Sequence, residues 1–212
     1  MNQANKQAIN ARSSVYRLVA SLFARELTEK TIVGLQQGNG TRLLNALEQT
    51  QECAPVIRHL KNQFSGFTNP EQAVLDLAES YAWNFHGVGG SGSAPPYASV
   101  YLGESNATHQ EIEREIHKII HDQGLTTINA ASEPFDHLSV ILEFVAWLDE
   151  AEEDARQGNS TEQFRKVIIE KFLLSWLPAF VARCNQSDRL GFYSGLAVAT
   201  LAFVEADYAL AG

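Results

Sequence analysis

Asp136, His137 and Glu143 are the residues whose types and spacing best suit chemistry. An acid beside an imidazole supports proton transfer, and with a further acid two helical turns on the three could ligate a metal ion. A helical metal-dependent hydrolase using Asp136, His137 and Glu143 is therefore one reading. The structural reading competes with it. On a helical wheel of ~100° per residue, Leu138, Ile141, Leu142, Val145 and Leu148 form one apolar arc, and His137 falls inside it beside Phe144. Pro134 fits a first helical position, which puts Asp136 at the third, where a carboxylate accepts a free backbone N–H and opposes the positive helix end. No serine or cysteine nucleophile motif accompanies the pair, so a buried, hydrogen-bonded His137 is preferred.

Other residues invite weaker readings. Glu113, His117 and His121 share a helical face and could ligate a metal, but Lys118 removes the H-E-x-x-H pattern, and a solvated face is the default. The Gly/Pro loop over residues 87–96 lacks the Gly-Lys-Ser/Thr ending of a phosphate loop and follows a helix, so it reads as an exposed, mobile lid or peptide-gripping loop. Asp149, Glu150, Glu152 and Glu153 are either a solvated face or a docking patch for a basic segment. Tyr81, Trp83 and Phe85 precede the loop, and Tyr97 and Tyr101 follow it. Core packing explains several of them, yet aromatic anchors are also what an apolar peptide needs.

The elements that must position these residues are helices. Val15, Leu18, Val19, Leu22 and Phe23 recur at helical spacing, as do Val74, Leu77, Ala78, Tyr81 and Phe85. Asn69-Pro70 reads as an N-cap with proline at the first helical position, Thr108 and Glu111 as a capping box, and Gly124 as a terminator. Shorter helices are expected over 28–37, 41–49 and 55–64, and another from Ser160 or Thr161 to Trp176, with Pro178 kinking or ending it. Asp188 should cap a buried last helix, because Leu190 to Val204 is uncharged but shorter than the roughly 18 to 20 residues a bilayer needs.

The expected fold class is all-α: a helical globule whose N-terminal part (1–124) and C-terminal part (134–212) are joined by a hinge at 125–133, marked by Gly124, Ser132, Glu133 and Pro134. At 212 residues, 45% apolar and 19% charged, the chain can bury a core. A net charge of −9 disfavours nucleic acid and anionic membranes and favours basic partners. Cys53 and Cys184 stand alone and read as buried thiols of a reducing compartment. The N-terminus lacks the apolar core of a signal peptide, so the expected location is the cytoplasm.

Glu133-Pro134-x-Asp136-His137-Leu138, then Leu142-Glu143-Phe144, preceded by Tyr81-x-x-x-Phe85 and Pro96-Tyr97-x-Ser99-Val100-Tyr101, resemble the TorD-like, or redox enzyme maturation, chaperones of molybdenum oxidoreductases. The motifs cover roughly residues 81 to 148. The resemblance implies an all-helical, non-catalytic protein that binds the twin-arginine leader and apo form of a molybdoenzyme precursor. It is greatest to the branch whose client is trimethylamine N-oxide reductase. It also implies weak guanine-nucleotide binding, no required cofactor, and homodimers formed by domain swapping, which a hinge makes physically reasonable. Trp83, Phe85, Tyr97, Tyr101, Asp136, His137 and Glu143 become candidate client-binding residues, with the acidic run receiving the leader's arginines. A helical regulatory adaptor for another partner is the remaining alternative.

Overall fold

The computed structural model describes residues 3–102, 106–125, 133–154 and 158–210. Every regular element among them is helical, and the extended pairing among them is an isolated antiparallel bridge between Tyr97 and His137. The chain runs α1 (Gln3–Ala24), α2 (Glu29–Gln36), α3 (Gly38–Leu47), α4 (Ala54–Gly66), α5 (Pro70–Phe85), α6 (Ala98–Leu102), α7 (Asn106–Asp122), α8 (Leu138–Asp154), α9 (Gly158–Ile169), α10 (Leu177–Ser187) and α11 (Phe192–Leu210).

Local chemistry sets most of the boundaries. The Thr28 hydroxyl accepts the Thr31 N–H at the start of α2, and the Asn69 side chain accepts the Gln72 N–H above Pro70 at the start of α5. Gly124 ends α7 at φ 78°, with its own N–H bonded to the His121 carbonyl and the Leu125 N–H to that of Ile120. Helix α7 already includes Asn106, so Thr108 lies inside it rather than at its cap. Beyond α9 the chain takes a π-helical turn over Glu170–Leu174, and Pro178 then sits in the first turn of α10. Proline needs no N–H partner there, so it opens a helix instead of ending one.

Helix α8 begins at Leu138, not at Pro134 as expected. The reason is a tight turn: the His137 N–H bonds to the Pro134 carbonyl, and the His137 carbonyl accepts from Val140 and Ile141 as the helix starts. His137 is thus the residue preceding the helix, and Asp136 lies outside it.

Contact density divides the chain into two compact units. One combines the chain up to Ala24 with Pro96–Ala179 and the stretch from Tyr208; the other combines Arg25–Pro95 with Phe180–Asp207. This partition differs from a division into 1–124 and 134–212: the expected hinge falls inside the first unit, and its residues 126–132, Ser132 included, lie outside the described residues. The physical cause is a long-range pairing. In the first unit α1 packs along α8, both burying apolar stripes that include Val15, Val19 and Phe23 on α1 and Ile141, Val145 and Leu148 on α8. In the second unit α2 packs on α3, α4 and α5, and the buried face of α11 includes Phe192, Tyr193, Leu196 and Phe203. Cys53 and Cys184 are buried and unbridged. Among the described residues, no helix is long and apolar enough to cross a membrane.

Candidate functional site

In the first unit, the segment from Pro96 clasps the segment from Glu133. The Ala98 N–H bonds to the Asp136 carbonyl at 2.9 Å, and the Leu138 N–H to the Pro96 carbonyl at 2.8 Å. The Asp136 carboxylate accepts the Ser99 N–H at 3.2 Å, so it caps the short helix α6 rather than its own helix. His137 Nδ1 accepts the Ser139 N–H at 3.1 Å and lies 2.7 Å from the Ser139 hydroxyl. A backbone N–H can only donate, so Nδ1 is the unprotonated nitrogen in this network. Tyr97 meets the His137 ring edge-on at 4.9 Å and donates its hydroxyl to Glu133 at 2.9 Å. Burial first, and then the Glu133 carboxylate, push the Tyr97 hydroxyl pKa well above its usual range.

Asp136 and His137 are 3% and 2% exposed. Their contacts hold two chain segments together and leave no face open to a substrate. Glu143 turns elsewhere, to Arg17 at 2.8 Å, so the three residues do not form one ligand set. Among the described residues, no group of three or more His, Cys, Asp or Glu is placed to hold a metal ion. His117 instead packs against Phe135, ring centres 4.3 Å apart.

The acidic run is less available than its sequence suggests. Asp149 is fully buried, bonded to Arg12 at 2.8 Å and 3.7 Å from Arg165, itself 1% exposed. Asp149 therefore serves as an internal counter-ion, correcting the expectation that the run faces solvent. Glu150 is bound through both oxygens by Arg17, at 3.1 and 2.6 Å. The side chains of Glu152 and Glu153 lie outside the described residues.

The second unit holds the open site. Asp76, Glu79, Ser80 and Trp83 recur at helical spacing on α5 and, with Arg189 and Leu190, line a cleft of about 210 Å³. Trp83 also borders a second cleft, of about 370 Å³, with Ser91, Gly92, Arg183 and Arg189 among its walls. The Arg189 guanidinium lies 3.6 Å from the centre of the Trp83 ring. The glycine-rich loop forms one wall, and it is built rather than irregular. Gly90–Gly92 makes a 3-10 turn, the Gly89 N–H and the Ser93 hydroxyl both donate to the Trp83 carbonyl, and Arg183 donates to the Ser91 carbonyl. A Cβ at position 89 would sit 2.9 Å from that Trp83 carbonyl, so only glycine fits.

Behind Trp83 a polar network fixes α5. The buried Asn84 amide donates to the Ser80 carbonyl and receives the Ser187 hydroxyl. Asp188 accepts from the Ser80 hydroxyl at 2.9 Å and from the Ser194 N–H at 2.8 Å, capping α11 as expected. Phe85 faces the other way, 5% exposed among Tyr81, Phe180 and Tyr193. It is a core residue, which corrects its place among the client contacts. Tyr101 stacks on Trp176 in the first unit. Asp76, Glu79 and Arg189 were missed by sequence reasoning; the α5 spacing could have found the two acids, and nothing local marked Arg189.

Comparison with known proteins points to a family. The family described as "Nitrate reductase delta subunit" matches residues 44–182. "Chaperone protein TorD" of Vibrio parahaemolyticus is 31% identical, with 93% of each chain covered. The protein of the same name from Shewanella sp. (strain ANA-3) is 34% identical over 93% of this chain and 92% of its own, and that of Photobacterium profundum is 29% identical over 93% of each. The chain belongs to the TorD-like chaperone family. Its work is that of a chaperone and not of an enzyme.

Proposed function

We propose that this chain is a cytoplasmic, system-specific chaperone that binds the twin-arginine leader and apo form of a molybdoenzyme, with trimethylamine N-oxide reductase as the client. The single observation that carries the reading is the Trp83 cleft. It offers a half-buried indole, the apolar Leu190, and the acids Asp76 and Glu79, which together complement a segment that is basic and then apolar. Asp136, His137 and Tyr97 serve client binding indirectly, by fixing the first unit. No cofactor is needed for this role.

The test is co-purification from cells, together with calorimetric titration of a synthetic leader. The chaperone should retain the reductase precursor and lose it when the leader is deleted. Trp83→Ala should weaken leader binding by about tenfold, the loss expected of a buried aromatic anchor. Retention of a leaderless client, with unchanged peptide affinity in the variant, would sink the reading.

A further inference from the structure

We propose that the face of Trp83 beside Asp76 and Glu79 is a guanidinium-reading site for one arginine of the client's basic segment, and that Arg189 occupies it as an internal placeholder until the client arrives. The inference deepens the leader-binding reading above and rests on it. Three observations lead here. First, the indole already holds a guanidinium carbon 3.6 Å from its ring centre, so the geometry for stacking this group exists in the free protein. Second, Arg189 is held there by little else: it is exposed, and neither Asp76 nor Glu79 forms an ion pair with it. Third, those two exposed acids line the same cleft one and two turns before Trp83 on α5; Asp76 accepts one hydrogen bond from Gln72 at 2.8 Å, and neither forms a salt bridge among the described residues.

The contrast with the rest of the chain makes the point sharper. Asp149, Glu143 and Glu150 are each engaged by arginines of their own unit. An arriving arginine could stack on Trp83 and also reach Asp76 or Glu79, gaining charge-assisted hydrogen bonds that Arg189 does not make. Planar guanidinium suits this site better than ammonium, because it stacks and bonds in its plane at the same time. Displacement of Arg189 therefore reduces apparent affinity in the native chain, and its removal should increase it.

The experiment titrates full-length protein with a leader peptide carrying its arginine pair and with the same peptide carrying lysines. Arg189→Ala should bind the arginine peptide about two- to fivefold more tightly than wild type, the range expected for losing one exposed competing stack. The lysine peptide should gain less. The double variant Asp76→Asn/Glu79→Gln should weaken arginine-peptide binding and flatten its salt dependence. Unchanged or weaker binding by Arg189→Ala overturns the inference while leaving leader binding intact.

If neither protein binds the leader, the leader reading falls and a second probe decides this one. Arginine amide should quench Trp83 fluorescence more in Arg189→Ala than in wild type, and more than lysine amide does, with Trp83→Phe assigning the signal. Equal quenching in both proteins overturns the placeholder.

Discussion

The Asp136–His137 clasp and the Trp83 cleft use similar residue types for opposite ends. In the clasp, an acid and an imidazole are buried and a tyrosine is half-buried, with partners for their polar groups within their own unit. In the cleft, an indole is half-buried and two acids face solvent, Asp76 accepting a hydrogen bond from Gln72 and neither forming an ion pair among the described residues. Trp83 and Phe85, two residues apart on one helix, repeat the contrast in miniature: one walls the cleft and the other fills the core. Residues that look most reactive in the sequence are those the fold has satisfied. Binding falls to residues left with unused capacity.

The strongest way to break that comparison is to treat a satisfied acid as though it were a surface one. Asp149→Asn should leave Arg165 buried beside a neutral partner and destabilise the protein by about 3–5 kcal/mol. Glu79→Gln in the cleft should change stability by no more than about 0.5 kcal/mol. Denaturant unfolding of the two variants gives the answer directly; similar midpoints would mean that Asp149 is not the counter-ion its geometry makes it. Next in size, Asp136→Ala strips the partner from the Ser99 N–H, which is worth about 1–3 kcal/mol for a buried group. Its leader affinity at a temperature where the variant is fully folded should stay within about twofold of wild type, because on this account Asp136 positions and does not touch the client. A tenfold loss in the folded variant would move Asp136 into the binding site.

How far the sequence foretold these two regions depends on the range of the forces involved. Helix existence was legible from apolar periodicity, and the local punctuation at Asn69 and Gly124 was legible because each acts within a turn of its own residue. The role of Asp136 was not, since its partner, Ser99, is 37 positions away and belongs to another helix. The same holds for Asp149, whose neutralising Arg12 lies 137 positions away. An acidic run reads as surface until the distant cation is known. Motif residues at 96–101 and 133–138 come together in the first unit, a pairing that spacing alone does not give.

A smaller effect should sharpen the cleft's side of the comparison. Gly89→Ala places a methyl 2.9 Å from the Trp83 carbonyl and 3.1 Å from its indole, and a backbone carbonyl has no rotamer by which to yield. The loop should shift at a cost of about 1–3 kcal/mol, altering Trp83 fluorescence and leader affinity together. Gly92→Ala, whose added Cβ meets nothing within 4 Å, is the control, and it should do neither. If both variants behave alike, the loop does not shape the Trp83 wall.

The smallest expected effect concerns Glu143, which lies between the two extremes. Arg17 grips both oxygens of Glu150 and gives Glu143 a single bond, so its attraction is shared unequally. For Glu143, burial outweighs that attraction, and its pKa is raised above the ordinary 4.5. A carboxyl with a raised folded-state pKa holds its proton more tightly folded than unfolded. Between the ordinary and the raised value the folded protein binds more protons, and the contribution of Glu143 to stability falls as pH rises through that window. Glu143→Gln cannot ionise, so its stability relative to wild type should rise with pH across the same window and level off above it. Paired unfolding curves from pH 4 to pH 8 would show this. A relative stability that instead declines with pH would mean that the Arg17 bond outweighs burial, and Glu143 would then rank with Asp149 among the satisfied acids.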